Sequence, residues 1–197
     1  MIAATILVGG GARRFQGTSK PTLTIGGRTI LDRQRAAVAA AGIRDVILVG
    51  RWAGLAVPGV RHVPDVMETG GALCGLYSAL LAAPTALVLV LAGDLPFVSG
   101  ALIRELAVMG HEHDAVVPRV GGRWHPLCAV YHQRVALGLK RRLDAGTWRI
   151  TDALNDMRVR DVTVDRLEDL DSNGMLLMNV NTPDDHQQAE RLLRPRS

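Results

Sequence analysis

IAATILVGGGARR (residues 2–14) opens this chain, and GTSKP (residues 17–21) follows it closely. The apolar run over residues 2–8 predicts a buried strand, and the loop after it combines three glycines with several cations. Glycines let the backbone approach a ligand closely and turn its N–H groups inward, while Arg14 and Lys20 supply positive charge. The pattern therefore predicts a binding site for a phosphate chain.

Two familiar phosphate-binding loops do not fit this segment. A P-loop places its lysine directly after a glycine and before Ser or Thr, whereas Lys20 follows a serine and precedes a proline. A Rossmann fingerprint needs a third glycine where Arg14 stands, and an acidic residue at the end of the second strand, which here runs from Val46 to Val49 into Gly-Arg. A glycine-rich turn with solvated arginines remains the structural alternative.

Strand and helix patterns alternate beyond this loop. The run over residues 86–92 lacks polar alternation, which predicts a central strand covered on both faces. The alternation predicts a three-layer, Rossmann-like α/β fold with a mainly parallel sheet. The other elements predicted in this part are helices from Ile30 to Ala41, from Leu73 to Ala83 and from Leu102 to Met109 (capped by Ser99), with strands over 46–49 and 60–63.

The second half of the chain predicts an antiparallel element in the sheet. Strands over residues 115–119 and 127–131 are joined through Gly121-Gly122, and a helix over 134–144 and a strand over 159–164 follow. The last helix is expected to begin at Thr182 as N-cap, with Pro183 in its first position and Asp185 three residues after the cap. No linker or repeat interrupts the pattern, so we expect residues 1–197 to form a single domain.

Composition favours a compact cytoplasmic enzyme. Of the 197 residues, 48% are hydrophobic, but the longest wholly apolar run, residues 86–92, is too short to span a bilayer. The N-terminal apolar run passes directly into the glycine loop and does not resemble a signal peptide. Cys74 and Cys128 lie among small apolar neighbours, as reduced core or near-site cysteines do, and this favours the cytoplasm over the membrane or the cell exterior.

The net charge of +4 raises the question of nucleic-acid binding. Aromatic residues make up only 4% of the chain, so platforms for base stacking are scarce, and the basic residues form no long run. We expect a small polyanionic substrate and no nucleic acid.

Asp94 is the strongest candidate ligand for a metal ion. Ligands of parallel sheets bind beyond the carboxyl ends of the strands, where the glycine loop and the turn Gly93-Asp94-Leu95-Pro96 should meet. A carboxylate held in such a turn can bind Mg²⁺; a turn-capping role is the alternative. Asp65, just after the predicted third strand, is a weaker candidate that could contact a sugar or base.

Segments distributed along the chain resemble the molybdenum cofactor guanylyltransferases (MobA) of the nucleotide-diphospho-sugar transferase-like superfamily. The glycine loop and the aspartate turn are shared across that superfamily. The segments HP (125–126) and NVNTP (179–183) narrow the resemblance to its molybdopterin branch. The matching segments are LVGGGARR (7–14), GTSK (17–20), GALCGL (71–76), GDLP (93–96), HP (125–126) and NVNTP (179–183).

The resemblance implies transfer of GMP from GTP to the terminal phosphate of molybdopterin or its molybdenum form, with Mg²⁺ as cofactor. Insertion proteins and acceptor enzymes for molybdenum cofactor are implied as further partners. Arg14 and Lys20 would neutralise the triphosphate, Asp65 would help hold the nucleoside, and Asp94 would bind Mg²⁺. The loop residues implied to line the base and phosphates are Leu7, Val8, Gly9, Gly10 and Gly17.

Four residues of the second half are implied on the molybdopterin side. Asn179 and Asn181 flank Val180 and should point to one face of an extended segment, although an Asx turn capping the next helix is an alternative. Arg149 is placed to meet the pterin phosphate. His125 is either a pterin contact or part of a turn before its proline.

One position departs from the family pattern. Ser19 stands where an aspartate often precedes the lysine, which alters the charge balance of the loop. Two alternatives stay open beside guanylyl transfer, and Ser19 supports only the second of them. One is a molybdopterin cytidylyltransferase, which shares the loop and Asp94 and differs in base recognition; the other is a non-catalytic molybdopterin-binding homologue.

Overall fold

The computed structural model of the protein describes residues 1–9, 19–51, 57–69, 71–163 and 174–193. Its strands are β1 (Ile2–Leu7), β2 (Thr24–Ile25), β3 (Arg28–Thr29), β4 (Val46–Val49), β5 (Arg61–Val63), β6 (Leu87–Ala92), β7 (Ala115–Val120), β8 (Arg123–Trp124), β9 (Cys128–His132) and β10 (Val159–Thr163). Its α-helices are α1 (Ile30–Ala40), α2 (Gly71–Ala82), α3 (Gly100–Met109), α4 (Ala136–Asp144), α5 (Ile150–Leu154) and α6 (Pro183–Leu193).

All strands except the small β2–β3 hairpin join one sheet in the order β10-β7-β9-β6-β1-β4-β5, with β8 paired to β7. The pairs β5–β4, β4–β1, β1–β6 and β7–β10 are parallel. Strand β9 runs antiparallel to both of its neighbours, β6 and β7. The predicted three-layer α/β fold, with a mainly parallel sheet and an antiparallel element in its second half, is confirmed.

Helices cover both faces of the sheet, and successive side chains of β6 point alternately into the two cores between the sheet and these helices. Leu87, Leu89 and Leu91 point to the core that includes the apolar side chains of α1 and α3. Val88 and Val90 point to the core formed with α2, α4 and α5. These five of the six side chains of β6 are buried, as the unbroken apolar run predicted. None of the helices in the described ranges is both long and apolar enough to cross a membrane.

Local details differ from the sequence prediction in the second half. Gly121-Gly122 turn the chain between β7 and the short β8, so β9 enters the sheet only after a further loop. The predicted helix over residues 134–144 begins as a 3-10 turn, Gln133–Val135, before α4. Helix α5 was not predicted, because its five residues are too few to show a helical period.

The start of α6 fixes the extended segment before it. Thr182 Oγ1 accepts a hydrogen bond from the backbone N–H of Asp185 at 3.2 Å. The Asp185 carboxylate in turn accepts from the N–H groups of Thr182 and Asn181, both at 2.8 Å. The hydrogen bond from the Asn181 N–H, followed by those with Thr182 and the charge of Lys20, holds the pKa of the Asp185 carboxyl below its ordinary value, against the effect of burial. The predicted N-cap is confirmed, and Asn181 is tied to the helix.

Candidate active site

The carboxyl ends of β1 and β6 bring the two principal sequence motifs together. Gly93 follows β6 and donates its N–H to Leu7 O at 3.0 Å. A Cβ atom at Gly93 would lie 2.7 Å from Leu7 O and 2.7 Å from the ring of Pro21. Only glycine fits this crossing, so the turn that carries Asp94 is seated directly against the end of β1.

A buried glutamine braces the same turn. Gln34 of α1 has no exposed surface, and its Nε2 donates to Ala92 O at 2.6 Å and to Leu95 O at 3.2 Å. These bonds clamp the backbone on both sides of Asp94. Gln34 was not predicted as a site residue, because a single polar residue on a helix gives no indication of what it faces.

Asp94 is the centre of a network of four polar side chains. Its Oδ2 accepts from the Lys20 ammonium at 3.2 Å, and its Oδ1 accepts from Asn179 Nδ2 at 2.9 Å. The Lys20 ammonium also donates to Asn181 Oδ1. The extended segment before α6 therefore reaches the same edge of the sheet as the lysine that follows the glycine loop. The network joins residues up to 161 positions apart in the chain.

Lys20 is held in this position by its own backbone. It begins a 3-10 turn, Lys20–Thr22, in which Pro21 is buried and Leu23 N–H bonds back to Lys20 O at 3.0 Å. Thr22 Oγ1 donates to Ser19 O at 2.7 Å. The ammonium of Lys20 is thus presented to the site by a rigid turn, while Ser19 makes no side-chain bond that caps the turn.

Asp65 packs against Gly9 at the edge where β1 and β4 end. A Cβ atom at Gly9 would lie 3.2 Å from Asp65 Oδ2 and 3.2 Å from Gly50 Cα. Burial raises the pKa of the Asp65 carboxyl, and this effect outweighs the hydrogen bond from Ser78 and the charge of Arg51, which act in the opposite direction. Asp65 is therefore partly desolvated before any ligand binds.

Two clefts meet at Asp94. The first, which we call the main cleft, has a volume of about 390 Å³; the second, the side cleft, has a volume of about 260 Å³. Ala92, Asp94 and Leu127 line both. The main cleft is also lined by Leu7, Val8, Gly9, Ser19, Lys20, Asp65, Glu68, Thr69, Gly71, Ala72, Cys74 and Gly75, among others. The side cleft is also lined by Leu95, Trp124, His125, Pro126, Cys128, Ile150 and Asn179.

The main cleft is lined by charged groups of both signs, the Lys20 ammonium and the carboxylates of Asp65, Glu68 and Asp94. The first residues of the 12-residue helix α2, Gly71 and Ala72, line it. Unpaired N–H groups and the helix dipole favour negative charge at a helix N-terminus. The Lys20 ammonium and this helix start are the groups of the cleft that favour an anion, and Leu7 and Val8 add apolar surface.

The structure places most of the predicted site residues on these two clefts. Leu7, Val8, Gly9, Lys20, Asp65 and Asp94 line the main cleft. Asn179, His125 and Asp94 line the side cleft, and Asn181 reaches the site through Lys20. Gly10, Arg14 and Gly17 lie outside the described residues. Arg149 is exposed at the N-terminus of α5, next to Ile150 of the side cleft, and is not itself among the residues that line that cleft.

His125 combines a structural and a site position. Its N–H donates to Pro118 O at 2.9 Å and its carbonyl accepts from Cys128 N–H at 3.0 Å, so its backbone forms the turn into β9. Its half-buried ring lines the side cleft. Burial, and then the nearby charge of Arg123, lower the pKa of the ring, so it is neutral at physiological pH.

The cysteines do not offer a nucleophile. Cys74 and Cys128 are both buried and unpaired. Burial raises the pKa of the Cys128 thiol to about 12, which keeps it protonated and unreactive. The described residues contain no cluster of three or more His, Cys, Asp or Glu side chains that could hold a metal ion without help from a ligand.

Residues 4–162 match the family described as the MobA-like NTP transferase domain. A molybdenum cofactor guanylyltransferase from Cereibacter sphaeroides is 36% identical over 193 residues, covering 96% of this chain and 95% of that protein. A probable molybdenum cofactor guanylyltransferase from Pelotomaculum thermopropionicum is 34% identical over 188 residues, covering 94% of this chain and 91% of that protein. The crystal structure of molybdopterin-guanine dinucleotide biosynthesis protein A from Archaeoglobus fulgidus has the same fold, with a TM-score of 0.80, 24% identity and 98% coverage of both chains.

Proposed function

The chain belongs to the MobA-like NTP transferase family, and we propose that it transfers GMP from GTP to the terminal phosphate of molybdopterin or its molybdenum form. The products are molybdopterin guanine dinucleotide and pyrophosphate. The observation that carries the proposal is the network of Lys20, Asp94, Asn179 and Asn181 at the point where the two clefts meet. A group-transfer enzyme needs such a junction, because both substrates must reach the same reacting atom.

We place GTP in the main cleft. Its phosphates would lie near Lys20 and the start of α2, with Leu7, Val8 and Gly9 against the nucleoside and Asp65 within reach of its hydroxyl or amino groups. Gly10, Arg14 and Gly17 complete the phosphate loop in this proposal; it is their sequence, glycines with an arginine after a buried strand, that supports the assignment.

We place the acceptor in the side cleft. Its terminal phosphate would lie near Asn179 and Asn181, at the end that Asp94 shares with the main cleft. His125 lines the same cleft with a neutral ring that can donate or accept a hydrogen bond. Arg149, exposed beside Ile150, can approach a phosphate from the rim.

The chemistry follows from charge. A phosphate that attacks another phosphate is already ionised, so the reaction needs no general base and no covalent intermediate. The main obstacle is the approach of two anions and the charge that grows on the departing pyrophosphate. Positioning and positive charge lower that barrier; the backbone turn places Lys20 at the site, and its ammonium would supply the charge.

The residues present fit a magnesium ion. Asp94 offers a carboxylate that is 13% exposed, the amide of Asn179 contacts it, and Asn181 is linked to it through Lys20. Mg²⁺ prefers oxygen ligands and usually takes one or two carboxylates together with substrate phosphates and waters, so a site without three acidic residues is sufficient. In our proposal Asp94 holds the ion, which screens the charge of the triphosphate when bound.

The charges of Lys20 and Asp94 neutralise each other before substrates bind. Their ion pair at 3.2 Å is partly buried, with side chains 24% and 13% exposed. A triphosphate would draw the ammonium away from the carboxylate, and a cation would take the place of that ammonium at Asp94. The resting pair therefore keeps both groups in position without leaving a buried charge unpaired.

We further propose that residues 1–197 act as one catalytic unit in the cytoplasm, where GTP is available. The product would pass to molybdenum-cofactor insertion proteins and acceptor enzymes. The low aromatic content and the scattered basic residues support a role without nucleic acid or membrane partners.

Pyrophosphate release with a panel of nucleotides tests the proposal. Purified protein, Mg²⁺ and molybdopterin are combined with GTP, CTP, ATP or UTP, and the pterin product is identified by mass spectrometry. We expect release with GTP and a guanine dinucleotide product. Preferred use of CTP would make the protein a cytidylyltransferase, and molybdopterin binding without pyrophosphate release would make it a non-catalytic homologue.

A further inference from the structure

Trp124 presents an aromatic ring to the side cleft. It lies in the short strand β8 immediately before His125 and is half-buried. Its neighbours in the lining are mostly apolar or amide side chains, including Leu127, Ile150 and Asn179. Aromatic residues are scarce in this chain, at 4%, so a tryptophan on the wall of a functional cleft calls for a specific explanation.

Two charged residues hold the indole ring in place. The indole Nε1 donates to Asp161 Oδ1 at 2.7 Å, and the Arg119 guanidinium lies over the ring, 5.5 Å from its centroid. Arg119 is itself paired with Asp161 Oδ2 at 3.1 Å and faces Trp124 across the β7–β8 pair. The ring is therefore fixed at its edge and covered on one face, which lowers the conformational entropy lost when a ligand packs on the other face.

The lining of the side cleft offers polar groups near the junction with the main cleft and apolar surface for a flat ring. Asp94 and Asn179 mark the phosphate end, which continues into the main cleft. Trp124 and Ile150 form the apolar part. A volume of about 260 Å³ is that of a small pocket, which suits a flat heterocycle.

We propose that Trp124 is a substrate-binding residue that stacks on the pterin ring of the acceptor and orients its phosphate toward Asp94. This inference rests on the proposed function, because that function supplies a pterin acceptor. Stacking on an aromatic side chain is a general way to bind a flat heterocycle, and its loss weakens binding by roughly ten- to a hundredfold. Arg119 and Asp161 are positioning residues for the indole ring.

Steady-state kinetics of three variants separate stacking from packing. Trp124→Phe keeps an aromatic face, whereas Trp124→Leu keeps an apolar side chain without one, and both are mild enough to preserve the fold. We expect Trp124→Leu to raise the KM for molybdopterin by roughly tenfold or more, with the KM for GTP unchanged. Trp124→Phe should stay within about threefold of the wild type, since most of the stacking surface remains. Trp148→Phe is the matched control, because Trp148 is 49% exposed and does not line the side cleft.

A binding measurement does not depend on turnover. Free pterin is fluorescent, and contact with an indole ring quenches its emission. Titration of pterin with the wild-type protein and with Trp148→Phe should give equal quenching. Titration with Trp124→Phe should give less quenching at saturation, because phenylalanine is a poorer electron donor than indole.

The outcomes distinguish this inference from the proposed function. Equal acceptor KM values for Trp124→Leu and the wild type would overturn the stacking role, as would full quenching by Trp124→Phe. A wild-type protein that quenches pterin through Trp124 but forms no guanine dinucleotide would contradict the proposed function and support pterin stacking.

Discussion

The main cleft and the side cleft share Asp94 but are built by different means. The main cleft is shaped by backbone: strands β1, β4 and β6 end side by side, and Gly93 and Gly9 allow those ends to pack without side chains. The side cleft is shaped by side chains such as Trp124 and Asn179, which arrive from the antiparallel half and from the segment before α6. In our proposal the parallel half provides the groups for nucleotidyl transfer, and the rest of the chain provides recognition of the acceptor.

Asp94→Asn should have the largest effect, because Asp94 belongs to both clefts. The amide lacks the negative charge that holds a cation and pairs with Lys20, so we expect turnover to fall by roughly a thousandfold or more. The change is isosteric, so the fold should persist, although loss of the partly buried pair with Lys20 should lower the melting temperature. Asp144→Asn, which breaks the exposed pair with Lys140 on α4, is the matched control and should leave turnover unchanged. Near-normal turnover of Asp94→Asn at limiting Mg²⁺ would rule out the metal role.

Lys20→Ala should have the second-largest effect on turnover, because Lys20 lines the main cleft. Loss of one preorganised cation facing developing charge lowers turnover by roughly two to three orders of magnitude. The control is Lys140→Ala, which removes an exposed lysine of the same type. A loss confined to the KM for GTP, with kcat intact, would mean that Lys20 binds the ground state only.

Asn179→Ala should act on the side cleft alone. The substitution removes the hydrogen bond from Nδ2 to Asp94 Oδ1, and Asn179 is exposed, so we expect about a tenfold rise in the KM for molybdopterin. The KM for GTP should not change. If the KM for GTP rose by the same factor, the main cleft and the side cleft would not be separate substrate sites.

The main cleft could be predicted well from the sequence, because its elements have strong local patterns. An apolar run followed by glycines predicts a strand end, and a second apolar run followed by Gly93-Asp94 predicts another at the same edge. The N-cap at Thr182 was also predictable, since it depends on neighbouring residues. These features are local or follow from a general rule of parallel sheets.

The side cleft could not be predicted, because it depends on contacts between distant parts of the chain. Asn179 meets Asp94 across 85 positions, and Trp124 meets Asp161 across 37. The same is true of Gln34, whose amide braces the turn at Asp94 from 58 positions away. Only the family resemblance suggested that Asn179 and Asn181 belong to the site, and no pattern indicated Trp124.

Ser19→Asp examines the one position of the main cleft that departs from the family pattern. Ser19 makes no side-chain bond that caps its turn, so an aspartate can be added without breaking one. We expect turnover to change by roughly tenfold or less. If Ser19→Asp instead activated an inert wild-type protein, the natural chain would be a molybdopterin-binding homologue.

Asp65→Asn gives the smallest expected effect and tests whether the main cleft costs the protein stability. Burial raises the pKa of Asp65 in the folded state above its ordinary value of 3.8. At pH values between 3.8 and the raised pKa, the folded protein keeps a proton on Asp65 that the unfolded chain has lost. The free energy of unfolding therefore falls as the pH rises through this window. Above the window the wild type carries the full penalty, whereas the neutral amide of Asp65→Asn carries none. Denaturant unfolding from pH 4 to 7 should therefore show that the stability of the variant, relative to that of the wild type, increases as the pH rises. In a separate binding measurement, the variant should bind GTP more weakly than the wild type does. A variant less stable than the wild type at pH 7 would show that Ser78 and Arg51 outweigh burial, and that the main cleft carries no such penalty.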